Sequence, residues 1–435
     1  MGDGAPRAGR MLAACALAFV AIRLLLWALA GPVTPVADDQ LEYLGLRDGL
    51  LDHGRFLSPF THLPTAYRDP GWPAFLALVA AIAGRSVASV VLAQVLLQAL
   101  TGVLLVDLAR RVGGVRAATV TAVLFALQLS FATYTLFVYA ETLATSTLVA
   151  FAWGWTVLEA RARTGGAVAA GALAGALALV RASALPLAPA FAAGGSGSGS
   201  GKKTRRAPAY LLAGFATALV LVAWCARNVA AVGSFTPNTN AAVNLWIGNS
   251  PGTPLVHGYR AMTDSSVWAP LAGLDERARA RRALELTAAE VRAHPGRAVF
   301  RALARLPDAL EPDRIFLGVA KRGQFATRAP GVLIAIGVVI GLTTLMTNVL
   351  ALSAVLAPPP GAFPRAAAWA FVAAVLVQVL TLAHPRFTQP AWILCLPASA
   401  LAWIELRVGH RPRIRATAVA AVVLVAIALR QFILR

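Results

Sequence analysis

Apolar runs long enough to cross a bilayer recur from one end of this chain to the other, and no other feature restricts its fold as strongly. A helix needs about 20 apolar residues to span roughly 30 Å of hydrocarbon, and only helices and closed barrels satisfy their backbone groups there. Such runs fall at 11–30, 87–109, 117–133, 135–158, 167–180, 182–192, 208–226, 330–356, 366–383, 389–406 and 416–433, which predicts an all-α polytopic membrane protein with about eleven transmembrane helices. A short apolar piece at 72–83 does not reach across. Composition agrees: 58% of residues are hydrophobic, 13% are charged and the mean hydropathy is +0.69. Soluble domains carry about 25% charged residues.

Short loops rich in Arg and Lys stay on the cytoplasmic side. Here they alternate. Arg7 and Arg10 precede the first run, Arg110, Arg111 and Arg116 follow the second, and Arg161 and Arg163 follow the fourth. Lys202, Lys203, Arg205 and Arg206 precede the seventh, and Arg407, Arg411, Arg413 and Arg415 precede the last. With eleven crossings all of these share one side, so the N-terminus is expected in the cytoplasm of a multi-pass protein of the plasma or inner membrane. The net charge of +20 then finds its partner in anionic membrane lipid, and nucleic acid is not called for. The Gly/Ser run at 194–201 reads as a flexible cytoplasmic connector. Residues 1–329 are expected to form one catalytic module with a first outer loop at 31–86 and a large outer loop at 227–329, and residues 330–435 a set of C-terminal transmembrane helices. The leading apolar run is read as an uncleaved span.

Polar residues are rare enough that their placement carries information. Asp38, Asp39, Glu42 and Tyr43 open the first outer loop, and Arg68 and Asp69 stand before a stiff Pro-Gly-Trp-Pro turn. The topology adds Glu141 about two turns into the outer half of the fourth span, Arg181 at the hairpin after the fifth, Arg227 and Asn228 where the seventh ends, and Arg386 between the ninth and tenth. An ionised side chain within a span costs about 2.5 to 3.5 kcal/mol on insertion scales, so Glu141 should face a polar cavity or a partner. One extracytoplasmic cavity would gather the whole set. A carboxylate at a membrane edge can serve as general base on a hydroxyl while arginines neutralise a phosphate, which suits group transfer from a lipid phosphate.

Each residue also has a plainer reading. Asp38 and Asp39 could cap a helix, Arg68 and Asp69 could pair locally, Glu141 could pair with Arg181, and Arg386 could anchor at the interface. Trp246 beside Asn244, Gly248 and Asn249 could offer a sugar an apolar face with amides for its hydroxyls, or sit as an interfacial aromatic. The histidines His53, His62, His257, His294, His384 and His410 are scattered, so no metal and no other cofactor is expected. Cys15, Cys225 and Cys395 lie far apart inside apolar runs and read as small core residues. The segment from about 274 to 306 has arginines at helical spacing and is expected to lie along the membrane or roof the cavity. A transporter or lipid flippase is the competing class, but such proteins place ionisable residues near the midplane of repeated halves.

These motifs resemble the glycosyltransferases of the C-type membrane fold, particularly bacterial relatives of protein O-mannosyltransferases and of the aminoarabinose transferase of lipid A. Asp39-Gln40-Leu41-Glu42-Tyr43 is similar to that family's acidic motif in the first outer loop. Tyr67-Arg68-Asp69-Pro70-Gly71-Trp72-Pro73 is similar to its Arg-Pro-Pro-Gly-Tyr-Pro segment, with Asp69 and Trp72 as departures. Tyr139-Ala140-Glu141, Leu179-Val180-Arg181, Arg227-Asn228, the segment from Asn244 to Asn249 and His384-Pro385-Arg386-Phe387 are similar to later motifs in the same order. The resemblance implies Asp39, or alternatively Asp38, as catalytic base, with Arg68 and Arg386 near the donor phosphate. It implies a polyprenyl-phosphate sugar as donor, a glycan, lipid or protein hydroxyl as acceptor, and inversion at the anomeric carbon.

Overall fold

A computed structural model describes residues 4–35, 38–161, 164–195, 203–255, 261, 263–313, 315–325 and 328–433. The expected connector at 194–201 lies largely outside these, as do Lys202, Arg163 and His257, and the side chains of Asp38, Lys203, Arg205 and Arg206 are likewise not described. Regular structure among the described residues is helical, with one isolated bridge between Leu57 and Pro64. The chain opens with α1 (Gly4–Ala30), α2 (Asp38–His53), α3 (Gly71–Ala83), α4 (Val87–Leu127) and the short α5 (Leu129–Thr133). Next come α6 (Glu141–Arg161), α7 (Thr164–Val180), α8 (Leu187–Gly195) and α9 (Lys203–Val232). The long polar region holds α10 (Asn240–Asn249), α11 (Ser265–Trp268), α12 (Glu276–Ala293), α13 (Pro295–Ala304), α14 (Leu306–Leu310) and α15 (Ile315–Lys321). The last helices are α16 (Pro330–Leu356), α17 (Ala362–Leu380), α18 (Pro385–Leu394), α19 (Leu396–Arg407) and α20 (Arg411–Ile433).

Six helices among the described residues are individually long and apolar enough to cross a membrane, and seven if α18 and α19, bent by 63° at Cys395, count as one broken span. The count of about eleven is therefore not reproduced by helix length. Part of the difference is a glycine. Gly114 (φ 72°, ψ −168°) interrupts α4, so its 41 residues are two helices that hold the second expected run and most of the third, the remainder forming α5. A side chain at that φ would be strained. The fifth and sixth expected runs form helices too short to span alone, α7 of 17 residues and α8 of 9.

Three other boundaries differ from expectation. The run beginning at 135 bends through a 3-10 turn at Tyr134–Leu136 and starts its α-helix only at Glu141, which puts that carboxylate in the first turn rather than two turns in. Burial of a charged side chain is easier at a helix N-terminus, where free N–H groups favour a negative charge. α9 continues to Val232, so Arg227 and Asn228 lie within it. The helix expected from about 274 to 306 is two, because Pro295 lacks an N–H and forces His294 out of helical geometry (φ −137°, ψ 60°).

The two largest apolar clusters among the described residues fill much of the interior. One gathers Phe151, Phe191, Phe371 and Trp392 from α6, α8, α17 and α18, and the other gathers Phe19, Phe125, Phe131 and Phe316 from α1, α4, α5 and α15. Large apolar side chains also point outward along the long helices, Leu17, Leu211 and Leu342 among them. Water would penalise that surface and hydrocarbon does not. α13 exposes Val299, Phe300 and Leu303 on one side while Arg301 turns inward to the carbonyls of Pro251 and Thr253.

Candidate active site

α2 is fixed against the segment that leads into α6 by a buried amide. The N–H of Val138 donates to Gln40 Oε1 at 2.9 Å, and Gln40 has no exposed surface. The neighbouring residue, Asp39, is thereby aimed at the space between α6, α7 and α18. Gly71 makes the opposite wall possible: a Cβ there would lie 2.7 Å from Val180 Cγ2 and 3.0 Å from the Leu179 carbonyl oxygen, so α3 can meet the end of α7 only without a side chain.

In and beside that space six acidic and basic side chains alternate along one chain of contacts. Glu42 Oε2 accepts from Arg68 Nε at 2.6 Å, and Arg68 Nη2 donates to Asp39 Oδ1 at 2.6 Å. Asp39 Oδ2 accepts from Arg386 Nη2 at 2.6 Å, Arg386 Nε lies 3.7 Å from Glu141 Oε1, and that oxygen accepts from Arg181 Nη2 at 2.7 Å. Aromatic rings flank the arginines: Tyr43 and Tyr67 beside Arg68, Tyr139 and Phe387 beside Arg386, and Phe387 beside Arg181. A planar guanidinium can stack and bond at its edge together, which suits arginine rather than lysine here. The local pair of Arg68 with Asp69 does not form. Asp69 instead accepts from Asn238 Nδ2 at 2.6 Å and from the Ala182 N–H at 3.0 Å.

Burial and charge set the carboxyls apart. Burial works against an ionised Asp39, but the guanidiniums of Arg386 and Arg68 outweigh it and hold this carboxyl well below the usual carboxylate range. Glu42 is raised, because burial exceeds the pull of Arg68. Asp69 is pushed by burial up to about 6, against the hydrogen bonds from Asn238 and Ala182. Burial likewise pushes the Tyr43 hydroxyl up to about 12.

These groups border a cavity of about 370 Å³. Asp39, Tyr43, Arg68, Asp69, Glu141, Arg181 and Arg386 line it, and Glu42 stands behind Arg68. Four residues singled out in the sequence lie elsewhere. Arg227 donates to the carbonyls of Thr65 and Phe56, and Asn228 to those of Thr236 and Pro237, so both brace loops. Trp246 is buried and spends its indole N–H on the Val267 carbonyl, so its ring offers no face to the cavity. Asn249 donates to Leu245 and Leu380 carbonyls. All four are hydrogen-bonded within the protein. The Asp38 side chain is outside the described ones.

Other residues escaped the sequence reading. Glu276, at the start of α12, accepts from Thr65 Oγ1 at 2.7 Å, from the Ala66 N–H at 2.8 Å and from Thr239 Oγ1 at 2.8 Å. It ties the segment before Arg68 to the segment before α10. No local pattern marks it. Asn240 and Gln378 also line the cavity, as does Asn244, which the sequence offers beside Trp246 as an amide for a sugar's hydroxyls. Gln378 did carry a signal, being a lone amide inside an apolar run.

Residues 67–225 match the family described as dolichyl-phosphate-mannose-protein mannosyltransferase. That stretch contains Arg68, Asp69, Glu141 and Arg181, and the match agrees with the resemblance drawn from the motifs. Among solved structures, the oligosaccharyltransferase of Archaeoglobus fulgidus tethered to an acceptor peptide with the NVT sequon is similar, at 14% identity and a TM-score of 0.50, over 98% of this chain and 53% of that one. Archaeoglobus fulgidus AglB with an inhibitory peptide and a dolichol-phosphate is 13% identical at a TM-score of 0.49, over 98% and 55%. ArnT from Cupriavidus metallidurans in the apo state is 19% identical at 0.42, over 88% and 75%. The chain spans about half the length of the archaeal proteins it matches. At such identity the likeness is one of fold, a helical membrane fold of the C-type glycosyltransferase kind. No curated protein matches significantly.

Proposed function

We propose that this protein is an inverting membrane glycosyltransferase that moves a sugar from a polyprenyl-phosphate monosaccharide to a hydroxyl of an extracytoplasmic glycan, lipid or protein. The observation that carries this reading is the chain Arg68–Asp39–Arg386–Glu141–Arg181 on one cavity, with Glu42 behind Arg68: a carboxylate between two guanidiniums at a membrane edge. The family match, whose description names a lipid-phosphate sugar, supports the donor class. The dispersed basic loops support a cytoplasmic N-terminus, with the cavity on the other side.

In the chemistry, the acceptor hydroxyl gives its proton to Asp39 as its oxygen bonds to the anomeric carbon. The bond from that carbon to the phosphate oxygen breaks, the electron pair leaves with the phosphate, and the configuration inverts. Arg68 and Arg386 stabilise the charge that grows on the leaving phosphate. Between two arginines Asp39 is a weak base. A donor phosphate that draws the guanidiniums to itself loosens that hold and raises its basicity, so the base becomes strong only in a loaded site.

Purified protein with a panel of polyprenyl-phosphate sugars and acceptor hydroxyls tests this by mass spectrometry. Transfer with inversion, or slow donor hydrolysis without acceptor, is expected. No turnover with any donor, together with unimpaired function of Asp39→Asn in cells, overturns it.

A further inference from the structure

α13 is amphipathic in the reverse sense of a helix on a water-facing surface. Val299, Phe300 and Leu303, 61%, 58% and 59% exposed, form its outer side, while Arg301 and the following Arg305 are buried. Arg301 donates to the carbonyls of Thr253 and Pro251 at 2.9 and 3.0 Å, and Arg305 to that of Val379 at 2.9 Å. Ala302 packs on the larger apolar cluster. The three apolar side chains cannot turn inward unless both guanidiniums come out, so something other than water must cover them.

The same contacts fix the depth of this face. Val379 lies in the last turn of α17, whose exposed side chains Trp369, Val372, Leu376 and Leu380 follow one another at helical spacing and form a lipid-facing stripe. That stripe ends one residue beyond the carbonyl that Arg305 holds. Gln378 and Thr381, at the same end of the helix, border the cavity. α13 therefore meets α17 at the cavity end of the bundle, where hydrocarbon gives way to headgroups.

The charge around the face is one-sided. From Asp275 to Arg305 eight arginines stand against four carboxylates, which leaves a cationic surface. Arg297 pairs with Glu290 at 3.0 Å, whereas the exposed Arg277 and Arg292 have no ion pair among the described residues. An apolar face with a basic rim at this depth suits anionic lipid, whose acyl chains take the one and whose phosphates take the other.

We propose that α13 and the adjoining end of α12 form a docking surface for anionic phospholipid, with Val299, Phe300 and Leu303 among the acyl chains and Arg292 and Arg297 at the headgroups. The surface is separate from the ionic chain and does not depend on the sugar-transfer reading. It bears on the cavity through α12, whose first residue, Glu276, holds the segment before Arg68.

The test places a fluorophore on Phe300→Cys, on Leu303→Cys or, for comparison, on Arg281→Cys, in full-length protein with Cys15, Cys225 and Cys395 replaced by Ala. The protein is reconstituted in vesicles of phosphatidylcholine and phosphatidylglycerol, one of which carries bromine on its acyl chains. Brominated lipid is expected to quench the probes at 300 and 303 and to spare the one at 281. At equal mole fraction brominated phosphatidylglycerol should quench more than brominated phosphatidylcholine, and Arg292→Gln with Arg297→Gln should erase that excess, each arginine contributing about fivefold to the local preference. If the cysteine-free chain does not fold, photo-crosslinking of wild type with a phosphatidylglycerol that carries an acyl-chain diazirine decides, with adducts expected on residues 295–304. Probes at 300 and 303 quenched no more than the one at 281, or no adducts on that helix, overturn the surface. Equal quenching by the two lipids overturns the preference for anionic lipid. Self-quenching between labelled copies in place of quenching by lipid gives the face to a second copy of this chain, and overturns the proposal as well.

Discussion

The guanidinium of Arg386 donates to Asp39 at 2.6 Å across 347 positions of sequence, and the other oxygen of the same carboxylate takes Arg68 at an equal distance. A carboxylate so held cannot turn or take up a proton easily. It is positioned by charge rather than by its own backbone alone, and the groups that position it are the ones a phosphate would compete for.

Replacing Asp39 with Asn should lower sugar transfer about 10²- to 10⁴-fold, the usual contribution of a general base. Binding of a polyprenyl phosphate should persist or strengthen, since Arg68 and Arg386 lose their anion. Transfer measured by mass spectrometry beside lipid binding separates the two effects; unaltered transfer contradicts the role given to Asp39.

Arg68 reaches two carboxylates through different nitrogens, Nε to Glu42 and Nη2 to Asp39. A lysine cannot bridge both. Arg68→Lys should therefore lose about 10- to 100-fold in kcat/KM despite keeping the charge, as expected for one charged hydrogen bond. Activity near that of wild type would show that charge alone suffices there.

Glu276 touches no cavity surface and yet should matter. Glu276→Ala removes three acceptor contacts, to Thr65, Ala66 and Thr239, and frees the segment that carries Arg68. A loss of about 1 to 3 kcal/mol of stability is expected from the stranded donors. A thermal melt reads this, and kcat should fall further than donor affinity. Glu276→Gln should recover part of both. Equal melting of wild type and Glu276→Ala would refute the latch.

Two aspartates give opposite responses to acid. Asp39 lies below the ordinary aspartate value of 3.8, so its contribution to stability is complete above that value and is lost as pH falls through its folded value. Asp69 lies above it, at about 6, so the fold bears a cost for the ionised group above pH 6, relieved as pH falls toward 3.8. Protonation of Asp69 also replaces an acceptor with a donor beside Asn238 and Ala182. Activity should decline below pH about 6, and Asp69→Asn should remove that limb of the profile; a limb unchanged in the variant assigns it to another group.

Much of the candidate site was legible beforehand because ionised residues near hydrocarbon are scarce. Asp39, Arg68, Asp69, Glu141, Arg181 and Arg386 each stood out against apolar surroundings, and all six line the cavity. Arg227, Asn228, Trp246 and Asn249 stood out by the same rule and turned elsewhere. A rare polar side chain is as useful for satisfying a carbonyl as for meeting a ligand, and sequence does not tell these uses apart. On α10 the outcome is decided by which face of the helix turns inward: Asn240 and Asn244 do, whereas Trp246 and Asn249 pack against other protein groups.

Solvent preference is a property of each residue and its near neighbours. The sequence by itself therefore determined a helical membrane protein, the order of its apolar runs and the concentration of acid and arginine in a few short segments. Pairing is a property of distance. Only the tertiary structure decided that Arg68 reaches Asp39 and Glu42 rather than Asp69, that Glu141 starts a helix within reach of Arg181, and that α12 sends Glu276 to a loop more than two hundred positions away. Such contacts follow from how the helices cross, and the crossings rest on close approaches such as those at Gly71 and Gly248, which no local pattern encodes.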